Sequence, residues 1–212
     1  MKVAILIFLC ILSTSAFALC LPNTENKLLH LNSETVQMEH SAQKFENVVL
    51  KVLPAEIEFS VMFQSLNPRI NAEITKSNNI VMIEIMGGML GHPRLNENAF
   101  RMLLCHELGH FLGGEPLKSR GGWSSTEGQA DYFSGSTCPR MLGMDENSVL
   151  DGSLRLTSIY AEVMREPIPR MDRCDQTRVP RTNYGYPKVQ CRLDTIIAGW
   201  RAEQRPSCWF LE

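Results

Sequence analysis

The spacing of apolar and polar residues changes several times along this chain, and each change marks a structural element. Behind Lys2, Val3 to Leu12 form an unbroken apolar run of ten residues, followed by Ser13-Thr14-Ser15 and the small-x-small triplet Ala16-Phe17-Ala18. That order reads as a signal peptide, and the run is too short for a mature membrane span. Residues 1–18 are therefore expected to be removed, leaving 19–212 as a single exported domain, periplasmic or secreted, with no stable membrane span. A lipid anchor at Cys20 is disfavoured, because Leu19 is not the small residue such a site needs.

Residues 33–53 read as a helix, with Val36, His40, Phe45, Val48 and Val49 loosely on one side and Pro54 ending it. Ile57, Phe59, Val61 and Phe63 then alternate with Glu58, Ser60 and Met62, the period of a half-buried strand. Two further strands are expected at 70–75 and 80–86, joined by a turn at Ser77-Asn78-Asn79. Asn96 suits the N-cap of a helix over about 97–112, stopped by Gly113-Gly114. Helices should follow at about 126–137, 147–165 and 188–202. Strands first and helices after predict an α+β domain with a small antiparallel or mixed sheet.

Composition narrows the function only slightly. A formal net charge of −2 with 21% charged residues gives no basic excess for nucleic acid. Cysteine changes more. Without Cys10, six remain: Cys20, Cys105, Cys138, Cys174, Cys191 and Cys208. In an oxidising compartment they can form up to three disulfides. Three of them fall in a C-terminal tail of weak periodicity, which should rely on disulfides for order. A Cys105–Cys138 bond would tie two helices together.

The chemistry is concentrated in His106-Glu107-Leu108-Gly109-His110. On a helix, residues i and i+4 share a face, so both imidazoles can reach one Zn²⁺ while Glu107 sits over a water as general base. Zinc needs a third protein ligand and an open fourth position. Glu127, in Glu127-Gly128-Gln129-Ala130-Asp131, can supply that ligand, and Asp131 one turn later can accept the N–H of a ligating histidine. Asp131 is the alternative ligand. Pro116 stands where a third histidine would follow Gly113 in a metzincin, which excludes that pattern, and Glu115 is too close behind the helix end. His30, His40 and His92 each stand alone and read as structural or surface residues.

HELGH followed by E-x-x-A-D resembles the gluzincin zinc metallopeptidases, and among them the M48-like peptidases. Asn71-Ala72, the 80–86 strand with its glycine turn, and Tyr186-Pro187 with Arg192 are similar to that group's layout. The resemblance implies a zincin-like fold with the sheet packed on the HExxH helix, one zinc per chain, and peptide or protein substrates. It also implies that 80–86 is the edge strand pairing with the substrate, and that a downstream His or Tyr stabilises the oxyanion. No histidine follows His110, so Tyr186 takes that place, with Tyr160 and Tyr184 as the other choices. The loop at 113–123, with four glycines and Trp123, could cover the cleft or merely connect. The expected activity is therefore that of a zinc endopeptidase with Glu107 and Tyr186 as catalytic residues. Two rivals are a zinc-binding pseudo-peptidase, acting as an inhibitor or scaffold, and a metal-free binding domain held by disulfides.

Overall fold

A computed structural model describes residues 18–19 and 33–211. The proposed signal peptide lies outside them except for Ala18, as do Cys20 and His30.

The chain forms β1 (Ala18–Leu19), α1 (Ser33–Val49), β2 (Glu58–Gln64), β3 (Ala72–Ser77) and β4 (Ile80–Met86). It continues through α2 (Gly87–Leu90), α3 (Glu97–Leu112), α4 (Glu127–Ser136), α5 (Cys138–Met141), α6 (Glu146–Met164) and α7 (Val189–Trp200). This is an α+β arrangement with a small mixed sheet. Among the described residues, no helix is long and apolar enough to cross a membrane.

Local chemistry accounts for the element ends. Asn96 Oδ1 accepts the Ala99 N–H at 2.9 Å and starts α3, and Thr126 caps α4 through Gln129 N. Between β3 and β4, Asn78 takes φ 52°, a left-handed conformation that asparagine tolerates in a tight hairpin. The register then sets Ile74 beside Ile83 and Phe59 beside Val81. Phe59, Ile74, Val81, Ile83 and Ile85 are all buried.

Two expectations are corrected. The buried face of α1 is Met38, Ala42, Phe45 and Val49, whereas Val36 is 65% exposed and His40 is exposed. Those four residues recur at the helical period, so they share one face, which packs toward α3 and β2. Second, β4 is not an edge strand. The sheet order is β1-β3-β4-β2, with β3 antiparallel and β2 parallel to β4. The hairpin fills one side of β4 and the returning β2 fills the other. Among the described residues, the outer edge of β3 is paired only with Ala18–Leu19.

α3 runs through the centre, packed by α1, α4, α6 and the sheet. Its residues from Ala99 to His110 are buried apart from Arg101, so polar groups there must find partners inside the protein. Disulfides join Cys105 to Cys138 and Cys191 to Cys208, while Cys174 is exposed and has no disulfide partner among the described residues. The tail has more than its disulfide to order it. Trp209 is fully buried against Gly128 of α4, and Asn183 N donates to Trp209 O at 2.7 Å.

α4 and α7 meet backbone to backbone through glycines. A Cβ on Gly135 would stand 1.9 Å from Ile196 O, and one on Gly199 would stand 2.4 Å from Tyr132 O. Gly135→Ala should force the helices apart and lower stability by about 1–3 kcal/mol, read as an earlier urea midpoint. An unchanged midpoint would contradict this packing.

Candidate metal centre

α3 and α4 are placed so that the last turns of one face the first turn of the other. Gly109 permits the approach, since a Cβ there would lie 2.7 Å from Ala130 O. His106, His110 and Glu127 thereby converge, each at most 1% exposed, with one ligand atom from each lying within 4.8 Å of the others. Such a group can hold a metal ion.

The atoms used are informative. His106 Nε2 is 3.4 Å from Glu127 Oε2, and His110 Nε2 is 3.5 Å from Glu127 Oε1. Both separations are longer than good hydrogen bonds. They match the roughly 3.3–3.6 Å between two atoms bound tetrahedrally to one ion at 2.0–2.2 Å. The opposite ring nitrogens are occupied elsewhere. His106 Nδ1 lies 2.8 Å from Asp131 Oδ1, and His110 Nδ1 lies 2.8 Å from the Ser125 carbonyl. A carbonyl only accepts, so His110 Nδ1 carries the hydrogen and Nε2 keeps its lone pair for a ligand.

Beside these atoms sits a sealed charge pair. Arg192 Nε donates to Asp131 Oδ2 at 2.7 Å and Nη2 to Oδ1 at 3.0 Å, with both residues fully buried. The same Nη2 stands 3.3 Å from His106 Nε2 and 3.5 Å from Glu127 Oε2. The guanidinium lies 4.0 Å over the Tyr160 ring, whose edge contacts His106 at 6.1 Å between centroids.

On the other side runs the loop 113–125. Ser125 N donates to His110 O at 2.8 Å, Thr126 N to Pro116 O at 2.9 Å, and Gln129 Nε2 to Gly113 O at 2.6 Å. Trp123 packs on Phe111. From this loop Lys118 Nζ reaches Glu127 Oε1 at 2.7 Å.

Protonation follows from these neighbours. Burial holds His110 down at about 3, against the attraction of Glu127, so the ring is neutral. Burial also works against a charged His106, but the Asp131 carboxylate outweighs it and raises the metal-free ring to about 9. Burial opposes ionisation of Glu127 as well, yet the charged His106 and Lys118 beside it hold its carboxyl well below the usual range. Asp131 stays ionised through Arg192.

The structure thus brings together His106, His110, Glu127 and Asp131, with Glu107 fully buried on the same helix. Asp131 meets a histidine at its Nδ1, the side away from Glu127. Tyr186 is 40% exposed in the C-terminal segment, where its carbonyl accepts from Asn183 Nδ2 at 3.3 Å. Tyr184 is 57% exposed. His92 is buried against Glu162 at 3.2 Å, and Glu115 is exposed and accepts from Leu117 N. Sequence reasoning missed Lys118 and the Ser125 carbonyl. The first sits in a segment with the composition of a connector, and the second acts through the main chain, which no side-chain pattern announces.

Metal uptake should release about one proton, from His106, because His110 is already neutral. Apparent zinc affinity should rise about tenfold per pH unit below about pH 9. Competition titrations at about pH 6, 7 and 8 would check this, and a flat profile would contradict the His106–Asp131 assignment. Asp131→Asn should weaken the binding of a divalent ion at this group by roughly 10–100-fold.

Comparison with protein-family models, with curated proteins and with solved structures returns no match for this chain.

Proposed function

We propose that the protein is an exported, zinc-dependent endopeptidase of zincin-like fold. The observation that carries this reading is the pairing of both Nε2 atoms with the two oxygens of Glu127, at 3.4 and 3.5 Å, with both Nδ1 atoms held from behind. Two imidazoles and a carboxylate suit zinc, and three protein ligands leave an open position, as catalytic rather than structural sites do. A divalent ion held by His106, His110 and Glu127 would supply Lewis acidity toward a carbonyl oxygen and would acidify a water.

The rest falls to the chain. Glu107 removes a proton from the attacking water as its oxygen bonds to the amide carbon, and the carbonyl π pair moves onto the carbonyl oxygen. That pair returns as the C–N bond breaks, and Glu107 delivers the proton to the departing nitrogen. The charge-bearing oxygen also needs a donor, the role that the resemblance gives to Tyr186. An extended peptide could add to the outer edge of β3, since β4 is already paired on both sides. The two disulfides support an oxidising compartment.

One observation favours a zinc-binding pseudo-peptidase as the second reading: the three ligands and Glu107 are all sealed from solvent. The presence of Glu107 favours catalysis, and its replacement separates the two. Protein purified from an oxidising compartment should hold one zinc per chain, and His110→Ala and Glu127→Ala should lose it. Glu107→Gln should keep zinc and lower peptide hydrolysis by roughly 10²–10⁴-fold. Zinc without any hydrolysis dependent on Glu107 would select the pseudo-peptidase. No zinc after repletion would sink both.

A further inference from the structure

We propose that the face of α7 turned away from Asp131, together with the segment that follows α6, is a docking site for an acidic peptide segment with apolar side chains. It is separate from the His106, His110 and Glu127 group and does not depend on the metallopeptidase reading.

Shape is the first argument. A hollow of about 470 Å³ opens between Leu150 of α6, Ile197 and Ala198 of α7, and Met171, which is 42% exposed. Arg192 turns toward the centre, whereas Asp194, Ile197, Ala198 and Arg201 come round roughly opposite it at about 100° per residue. A smaller hollow of about 230 Å³ shares Arg173 and Cys174 with the first and is walled by Ile168 and Lys188. The two adjoin, and in each an apolar surface lies beside cations.

Charge is the second argument. After α6, residues 165–212 hold nine Lys/Arg and six Asp/Glu, although the whole chain has a formal charge of −2. Around the hollows the two signs are used differently. Asp194 Oδ2 accepts from Asp175 N at 2.6 Å and its Oδ1 from Gln190 Nε2 at 2.9 Å. Asp175 Oδ1 accepts from Thr177 N at 2.9 Å, and Glu166 Oε2 from Val189 N at 2.8 Å. Those carboxylates hold the walls, and of the acids lining the larger hollow only Glu203 is exposed. Arg173, Arg178, Lys188 and Arg201 are exposed, and none forms a salt bridge with a described residue. Arg173 acts on Asp172 at longer range, but Arg170 takes both oxygens of that carboxylate.

The walls are fixed in advance. Gln190 accepts the Arg170 N–H at 2.9 Å and donates to the Arg170 and Arg173 carbonyls at 3.0 and 3.1 Å. Val179 N donates to Ser207 O at 3.0 Å. A groove already ordered costs little conformational entropy to fill. Exposed guanidinium forks match carboxylates, and an extended peptide presents carboxylate and apolar side chains in alternation. A flat bilayer would leave the hollow unfilled, and a small inorganic anion would leave its apolar wall uncovered.

The test is fluorescence anisotropy of a labelled peptide of alternating Glu and Leu, titrated with the full chain at neutral pH and low salt. Replacing Arg173, Arg178 and Arg201 together by Ala should weaken binding roughly tenfold or more. Met171→Ser should weaken it about threefold. Lys replacements at the three arginines keep the charge and should retain most of the affinity, and Lys51→Ala, which removes an exposed cation elsewhere, should match wild type. A peptide of alternating Lys and Leu should not bind. No binding of the Glu–Leu peptide by wild type, or equal affinity in the triple Ala variant, would overturn the proposal. So would phosphatidylglycerol vesicles that capture wild type but not the triple variant while the peptide fails, because the cations would then serve a membrane surface.

Discussion

The buried pair of Arg192 and Asp131 is the constraint on which the rest of the site depends. Two opposite charges without solvent are costly unless their hydrogen-bonding capacity is filled, and here Asp131 is filled on both oxygens while Arg192 Nη1 has no partner among the described residues. Asp131 Oδ2 takes Arg192 Nε, and Oδ1 takes both Arg192 Nη2 and His106 Nδ1. A buried pair of this kind contributes little net stability compared with apolar packing. What it supplies is orientation. Asp131 is on α4, Arg192 on α7 and His106 on α3, so one carboxylate fixes three helices and turns His106 Nε2 toward Glu127. The close contacts at Gly109, Gly135 and Gly199 serve the same end, because each lets two backbones approach until these side chains meet.

The tail therefore belongs to the centre. Read from sequence, the cysteine-bearing residues after 173 form an appendage of weak periodicity. In the structure they carry α7 and the guanidinium behind the ligands. Cys191 and Cys208 join the start of α7 to the segment in which Trp209 covers Gly128, the residue after Glu127. Order in the tail and the position of the Glu127 carboxylate are thus set by the same contacts.

Much of the fold was legible because its determinants are local. Asn96 and the Gly113-Gly114 stop bound α3 as expected, and His106 and His110 share a face because helical spacing requires it. Where pairing is long-range, the reading slipped. Nothing within Ile80–Met86 says that β2 returns parallel to its free side, so the edge position implied by the resemblance had no local check. α1 shows the same limit, since Val36 is as apolar as Met38 and only the packing partner decides which is buried. At the site, Glu127 could be proposed from its helix and from zinc's need of a third ligand. The Ser125 carbonyl could not, because every residue carries one.

That carbonyl constrains how the buried His106, His110 and Glu127 group could be exposed to solvent. The loop 113–125 covers the triad, yet it also holds His110 in the tautomer that leaves Nε2 available. If the loop swung away as a unit, Ser125 would leave His110 and the ligand set would lose its fixed geometry. The two ends are pinned to α3 and α4 by Ser125, Thr126 and Gln129, whereas residues 119–121 at the tip are exposed. Opening must therefore come from the tip and from side chains that can move on fixed backbone. A segment that both covers the centre and orients it can open only through its least-tied parts, here the exposed tip.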